Sequence, residues 1–203
     1  MSVSFDPTHA EWACNLSPAT NDVLRRMARA GHPALHTLAP AQARAFYERA
    51  AGVLELPSLD LGRDETWHIP TRDGAMIRAR LWAPSHARHP VLLYFHGGGF
   101  TIGSSETHAG VCQQLAALAD CAVLSVDYRL APEHRFPVAV HDAWDALAWL
   151  LEHGAARGLD TARVAFGGDS AGGTLAAVTA LHARDHGWPV ALQLLFYPGT
   201  TGH

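Results

Sequence analysis

The chain has 203 residues, a typical length for one ordinary α/β domain that leaves little room for a second large domain. Hydrophobic residues make up 48% of the chain and charged residues 17%, so it can bury a core, and disorder of the whole chain is excluded. The net charge is −4 at pH 7 and there is no lysine, so the charge does not indicate a nucleic-acid partner.

Cysteine usage and the N-terminal sequence predict the cellular compartment. The three cysteines, Cys14, Cys112 and Cys121, are an odd number and do not form the paired framework of a disulfide-rich secreted domain. The N-terminal stretch contains acidic residues and no apolar segment of signal-peptide length, and no apolar run reaches the ~18 residues of a membrane-spanning helix. We therefore expect a soluble, unexported, cytoplasmic protein.

The first 55 residues are predicted to be helical. Ser17 and Pro18 provide an N-cap followed by proline at the first helical position, and Gly31 ends this first helix. A second amphipathic helix is predicted over residues 39–52, because apolar side chains recur there at spacings of three and four. Residues 1–55 are thus predicted to form one segment and residues 56–203 an α/β domain.

From residue 65 onward the pattern favours a sheet. Residues 65–70 and 75–84 alternate with period two around a turn at residues 72–74, which predicts a β-hairpin. Short apolar runs then alternate with helical stretches, which indicates a mostly parallel sheet with helices on both faces. The predicted strands are 91–95, 121–127, 163–168 and 190–196, and the predicted helices are 107–120, 138–154 and 171–185.

Gly168-Asp169-Ser170-Ala171-Gly172 fits the G-x-S-x-G nucleophile elbow, and it lies between a predicted strand and a predicted helix, where that motif belongs. Glycine on both sides lets the backbone turn sharply and approach a neighbouring strand, which exposes the serine hydroxyl. The following helix N-terminus favours a developing negative charge. A glycine-rich turn with a capping serine remains the alternative.

A second glycine cluster, His96-Gly97-Gly98-Gly99, directly follows the strand at 91–95. Consecutive glycines there expose backbone N–H groups, as an acyl-transfer enzyme requires for its oxyanion. A dinucleotide-binding loop is disfavoured because Ile102 stands where the third glycine would be. A phosphate-binding loop would need a lysine, which the chain lacks.

Together with Asp127–Glu133 and Phe136-Pro137, these motifs closely resemble the hormone-sensitive-lipase-like family of serine esterases. The resemblance implies an α/β-hydrolase fold and hydrolysis of small, often short-chain carboxylic esters, with no cofactor and no metal. It implies that Ser170 is the nucleophile and that the backbone N–H groups of Gly98, Gly99 and Ala171 form the oxyanion hole. The segment 1–55 then resembles part of the family's cap.

Three further residues of these motifs are interpreted as structural. The spacing of Arg129 and Glu133 permits an ion pair, with a turn at Ala131-Pro132 before the helix that begins near Val138. His96 is expected to anchor the glycine loop through its ring nitrogens rather than act as a base.

The sequence departs from the family after the nucleophile, where the family places its acid and then its histidine. Asp185 is the sole carboxylate after Ser170, and it lies about fifteen residues along the predicted helix, ~22 Å away. The same distance argument excludes His182 and His186. His203 is kept as an alternative base, although no acid partner for it is evident. We therefore expect a chain that stops before the acid and the histidine.

Two alternatives to a weakly active esterase remain open at this point. The chain could be a non-catalytic module that binds a small apolar molecule over the elbow, or a truncated product that another polypeptide completes. In either case an unpaired apolar strand at 190–196 would favour homo-oligomers or self-association through an exposed sheet edge. Acyl and alcohol specificity are not predicted.

Overall fold

The computed structural model of the protein describes residues 15–53 and 55–200, so Cys14 and His203 lie outside the described residues. These residues form two compact units that divide between Ala39 and Pro40. The first unit contains α1 (Pro18–Ala30) and a 3₁₀ turn at Leu35–Thr37. As predicted, the Ser17 side chain accepts a hydrogen bond from the N–H of Thr20, and Gly31 ends α1 in a left-handed conformation.

The second unit contains α2 (Pro40–Ala51), a six-stranded sheet, three further α-helices and a 3₁₀ turn at Ala155–Arg157. The predicted boundary after residue 55 stays a prediction. The structure groups α2, the second helix of that segment, with the α/β part of the chain. None of the helices in the described part of the chain is long and apolar enough to cross a membrane. The strands are β1 (Arg63–Pro70), β2 (Met76–Ala83), β3 (His89–Phe95), β4 (Ala122–Val126), β5 (Leu159–Asp169) and β6 (Leu192–Phe196), and the helices are α3 (Ala109–Ala119), α4 (Val138–His153) and α5 (Ala171–Asp185).

The strand order is β1-β2-β4-β3-β5-β6. The hairpin β1–β2 is antiparallel and joins β4 in antiparallel register, while β4, β3, β5 and β6 are mutually parallel. The predicted mostly parallel α/β sheet with an N-terminal hairpin is therefore confirmed. β5 begins at Leu159, earlier than predicted, because an irregularity beside Pro90 and Val91 lets it pair with His89 before the regular register starts.

Helices cover both faces of the sheet. Alternate residues of β3, namely Val91, Leu93 and Phe95, belong to one core cluster, to which α4 and α5 contribute their buried residues. The intervening Leu92 and Tyr94 belong to a second cluster, to which α3 contributes. Because β4, β3, β5 and β6 are parallel, the loops that follow them share one edge of the sheet. This is the edge where α/β proteins place their functional groups.

Candidate active site

Ser170 lies in the sharp turn between β5 and α5. Its backbone has φ +51° and ψ −118°, a strained conformation for a residue with a side chain. A Cβ at Gly172 would overlap the carbonyl oxygen of Phe95 on the neighbouring strand, and one at Gly168 would lie 2.5 Å from the same oxygen. The two glycines are therefore required by the close approach of the turn to β3.

The carbonyl group of Ser170 is fixed by two hydrogen bonds from Thr174 on α5. It accepts hydrogen bonds from the backbone N–H of Thr174 at 3.0 Å and from the Thr174 hydroxyl at 3.3 Å. In a planar trans peptide the N–H points away from the carbonyl of the preceding residue. Holding the Ser170 carbonyl therefore fixes the direction of the Ala171 N–H, which begins α5.

His96 orients the first of the glycine N–H groups. Its Nδ1 lies 2.8 Å from the carbonyl oxygen of Gly97, which can only accept, so Nδ1 carries the proton. The same peptide geometry then directs the N–H of Gly98 away from the His96 ring. The ring is buried and stacks on Tyr128 with centroids 4.4 Å apart, and burial lowers the pKa of His96 to about 4, so it is neutral at pH 7. The predicted anchoring role of His96 is confirmed.

The second glycine N–H is directed in the same way by the backbone itself. The carbonyl of Gly98 accepts hydrogen bonds from the N–H groups of Thr101 and Ile102, both at 3.0 Å, which directs the N–H of Gly99 to the opposite side. Gly98 has φ +120° and Gly99 φ +59°, and a Cβ at Gly98 would overlap the carbonyl oxygen of Ile102. This turn therefore requires glycine at position 98 on both grounds.

The glycine turn at residues 97–99 is also hydrogen-bonded to the elbow at residues 168–172. The N–H of Gly97 donates to Asp169 Oδ1 at 2.9 Å, and the hydroxyl of Tyr128 donates to the carbonyl of His96 at 2.7 Å. Because Phe95 pairs with Gly168 in the parallel register, the two turns leave the sheet side by side. Asp169, the residue before Ser170, thus joins the two motifs.

The carboxylate of Asp169 is charged although it is largely buried. Burial alone would raise its pKa, but His108, the hydroxyl of Tyr94 and the N–H of Gly97 together hold that pKa below its ordinary value. The His108 Nε2 lies 3.4 Å from Oδ1, and the Tyr94 hydroxyl donates to the same oxygen at 2.9 Å. The charge at this position is thus satisfied locally.

The structure leaves three main-chain donors free at this edge. Within residues 15–53 and 55–200, the N–H groups of Gly98, Gly99 and Ala171 donate no hydrogen bond. Gly99 is exposed, and Gly98 and Ser170 are partly exposed. Backbone donors of this kind can bind an oxyanion that forms beside the serine hydroxyl.

The predicted ion pair between Arg129 and Glu133 is wrong. Arg129 binds Asp142 on α4 and Asp73 in the β1–β2 turn, while Glu133 binds Arg44 on α2. Local spacing favoured the pairing of two neighbours in the loop, but the fold brings distant partners closer to each. The predicted turn at Ala131-Pro132 and the helix start at Val138 are confirmed.

The residues after Ser170 are engaged elsewhere. Asp185 ends α5 and pairs with Arg184 at 2.7 Å. His182 stacks on Trp144 with centroids 4.2 Å apart, and His186 binds the carbonyl of His182 through Nδ1. Among the described residues 171–200, no histidine with a carboxylate partner is found at Ser170. His203 lies outside the described residues.

Sequence reasoning missed the supporting residues of the site. Asp169 stands inside the G-x-S-x-G pattern, so its identity was visible but its bond to Gly97 was not. Tyr128 lies inside the motif 127–133, and Arg44 lies in α2 with no local signal. Within the described ranges, no group of three or more His, Cys, Asp or Glu side chains could hold a metal ion.

A strand–elbow–helix serine on a mostly parallel sheet, with free donors from the adjacent glycine turn, is typical of the α/β hydrolases. Residues 92–203 match the family described as alpha/beta hydrolase fold, and the chain belongs to this family. The predicted resemblance to hormone-sensitive-lipase-like esterases is thereby confirmed.

The chain is similar to several named esterases. It is 58% identical over 118 residues to the esterase LipI of Mycobacterium tuberculosis, covering 58% of this chain and 37% of that protein. It is 37% identical over 172 residues to an ethyl acetate hydrolase of Pseudomonas putida, covering 82% of this chain and 54% of that protein.

Solved structures agree with the sequence relatives. A hyperthermophilic esterase from the archaeon Pyrobaculum calidifontis superposes with a TM-score of 0.84 at 42% identity, covering 93% of this chain and 61% of that one. The chain therefore spans about 37% to 61% of the length of these relatives.

Proposed function

We propose that this chain carries the nucleophile and the oxyanion hole of a carboxylic ester hydrolase that acts on small, short-acyl esters. The observation that carries the proposal is the set of three free N–H groups, from Gly98, Gly99 and Ala171, around the strained elbow of Ser170. The names of the relatives support an ester as substrate, since they include esterases and an ethyl acetate hydrolase.

In the proposed reaction the Ser170 hydroxyl oxygen attacks the ester carbonyl carbon, and the carbonyl oxygen takes up the electron pair as an oxyanion. The N–H groups of Gly98, Gly99 and Ala171 donate to that oxyanion, and they need no reorganisation because the carbonyls of their peptide units are already held. The intermediate then breaks its bond to the alcohol oxygen, which takes up a proton equivalent to the one that the serine lost and leaves as the alcohol, and water hydrolyses the acyl-Ser170 ester to the carboxylic acid and free Ser170.

The serine proton is the limiting element of this proposal. A serine hydroxyl is a weak nucleophile until a base accepts its proton, and the described residues after Ser170 place no histidine with an acid partner there. We therefore propose that the 203-residue chain is weakly active or inactive by itself. The same observation favours a second candidate function, a non-catalytic module that binds small molecules.

Binding of phenylboronic acid tests the oxyanion site, because the serine oxygen adds to boron, the hydroxyl proton is released to the buffer, and boron becomes a tetrahedral anion that resembles the reaction intermediate. We expect saturable binding in calorimetry that Ser170→Ala abolishes and that the exposed control Ser58→Ala retains. Saturable binding of ATP or NAD without a response to the boronic acid would overturn the proposal.

Hydrolysis distinguishes the two candidate functions. Slow turnover of aryl acetates together with boronate binding supports the esterase. Retention of a small apolar ester without any turnover supports the binding module.

We also propose a cytoplasmic location and self-association through β6. Cys112 and Cys121 are buried and unpaired, which supports a reducing compartment. β6 is the last strand of the described sheet, and its Leu192 is 60% exposed, which supports pairing with a second copy.

A further inference from the structure

Arg44 on α2 contacts three separate acceptors near the glycine turn. Its Nε donates to the carbonyl of Thr101 at 2.8 Å, and its Nη2 donates to the carbonyl of Ala131 at 2.9 Å. Its Nη1 and Nη2 also bind the two carboxylate oxygens of Glu133 at 3.0 and 2.6 Å. One guanidinium therefore joins α2 to two loops at the functional edge of the sheet.

Both of these carbonyls belong to segments that shape the glycine turn. The N–H of Thr101 donates to the carbonyl of Gly98, the bond that directs the Gly99 N–H. The N–H of Ala131 donates to the carbonyl of Phe100 at 2.8 Å. Arg44 thus hydrogen-bonds the glycine turn at Thr101. It also hydrogen-bonds Ala131, whose N–H in turn donates to Phe100.

The chemistry of this position calls for arginine. Only a planar guanidinium offers donors in several fixed directions, so it can serve a bidentate carboxylate and two carbonyls at the same time. A lysine ammonium would keep the charge and lose the fork geometry. The Arg44 side chain is 25% exposed, so its bonds are partly shielded from competing water.

We propose that Arg44 is a positioning residue of the oxyanion hole, which couples α2 to the orientation of the Gly99 N–H through Thr101. This inference rests on the proposed function for its chemical meaning, but the coupling itself is a property of the turn. Removal of the guanidinium leaves Thr101 and Ala131 without this bridge, and the Gly98–Ile102 turn opens more often.

Amide hydrogen exchange measured by NMR tests the coupling without any assay of activity. In Arg44→Gln we expect exchange at Thr101, Ile102 and Ala131 to accelerate by at least about tenfold, while Leu93 in the central strand exchanges as before. Arg44→Lys should behave like Arg44→Gln, because charge alone does not restore the fork. The matched control is Arg49→Gln, which removes an exposed arginine from the same helix.

Glu133→Gln provides a second variant, should Arg44→Gln fail to fold. It loses the charge of the bidentate partner and retains both carbonyl bonds, so we expect a smaller acceleration at the same amides. Unchanged exchange in the folded Arg44 and Glu133 variants, or equal acceleration in Arg49→Gln, would overturn the positioning role.

Boronate affinity links the coupling to the oxyanion hole. A loss of about tenfold in phenylboronic acid affinity in Arg44→Gln, with Arg49→Gln unchanged, supports the full proposal. If exchange accelerates in Arg44→Gln but the parent chain does not bind the boronic acid, Arg44 remains a positioning residue of the turn and the result counts against the proposed function alone. Accelerated exchange with undiminished boronate affinity would overturn the role of Arg44 in the oxyanion hole.

Discussion

Arg129 binds both carboxylate oxygens of Asp142, with Nη2 at 2.6 Å from Oδ1 and Nε at 3.0 Å from Oδ2, and none of the Asp142 side chain is exposed. The N–H of Arg129 donates to the same carboxylate at 2.8 Å. Removing one partner of such a buried pair leaves an uncompensated charge. We expect Arg129→Gln to lower the free energy of unfolding by about 3 to 5 kcal/mol in urea denaturation.

The matched control is Arg163→Gln, whose partner is Asp160 and whose side chain is 61% exposed. An exposed pair contributes about 0 to 1 kcal/mol, so this variant should unfold close to the parent. Equal losses in the two variants would contradict the importance of burial at Asp142.

Gly172 is predicted to be the least replaceable glycine of the elbow. A Cβ there would meet the backbone of β3, which cannot move without disturbing the sheet. We expect Gly172→Ala to lower the free energy of unfolding by more than about 3 kcal/mol. Gly187→Ala serves as control: it has φ +67° with nothing near its Cβ position, so only the left-handed strain of about 1 to 2 kcal/mol applies. A smaller loss at position 172 than at 187 would contradict the close approach.

His96 predicts a specific acid sensitivity. Its pKa is about 4 in the folded chain, below the ordinary 6.5, so between these values the unfolded chain binds a proton that the folded chain does not. The contribution of His96 to the free energy of unfolding is thus complete above pH 6.5. It falls as the pH drops toward 4, at up to about 1.4 kcal/mol per pH unit. In His96→Gln the amide can still donate to Gly97 but does not titrate, so denaturation curves from pH 7 to 4 should show a shallower loss. Parallel curves for parent and variant would refute this assignment.

Turnover is expected to depend weakly on Ser170. In the proposed function, a chain without a base keeps only the contribution of the oxyanion hole and of binding, typically ~10³ to 10⁴ over the uncatalysed rate, and that contribution does not require the serine. We expect aryl acetate hydrolysis to change less than about tenfold in Ser170→Ala, which corresponds to ~1.4 kcal/mol of barrier. A robust activity that Ser170→Ala abolishes would demonstrate a base, and a parallel loss in His203→Ala would identify it.

The proposed self-association can be tested at β6, the edge strand of the described sheet. Leu192 is 60% exposed on the strand, and a charged side chain there would oppose edge-to-edge pairing. In sedimentation velocity we expect the parent to form dimers or larger species and Leu192→Arg to shift toward the monomer. Leu118→Arg, at an 83% exposed leucine on α3, should leave the distribution unchanged. A parent that stays monomeric over a wide concentration range would refute the edge interface.

The fold was largely predictable because its signals are local. Period-two alternation predicted the hairpin, short apolar runs between helical stretches predicted the parallel strands, and Ser17 with Pro18 marked the start of α1. The early start of β5 was not predictable, because pairing between Leu159 and His89 across an irregularity leaves no periodic pattern.

The site was predictable only in its two motifs. G-x-S-x-G and three consecutive glycines impose backbone requirements that few other residues satisfy, so their positions are visible in the sequence. The partner choices of Arg129 and Glu133 depend on tertiary contacts, and the sequence offered a nearer and incorrect pairing. Arg44, 57 residues from Thr101, carries no local signal.

The hydrogen-bonded carbonyls of Gly97, Gly98 and Ser170 affect which natural substitutions can disturb the three N–H donors. The three donors are main-chain groups, so a substitution other than proline at positions 98, 99 or 171 displaces an N–H without deleting it. The side chains that can vary are those that grip the opposite ends of the same peptides, His96 and Thr174. If the proposed function holds, an inactive variant can therefore retain an intact serine motif and carry its defect at His96 or Thr174, neither of which donates to the proposed oxyanion.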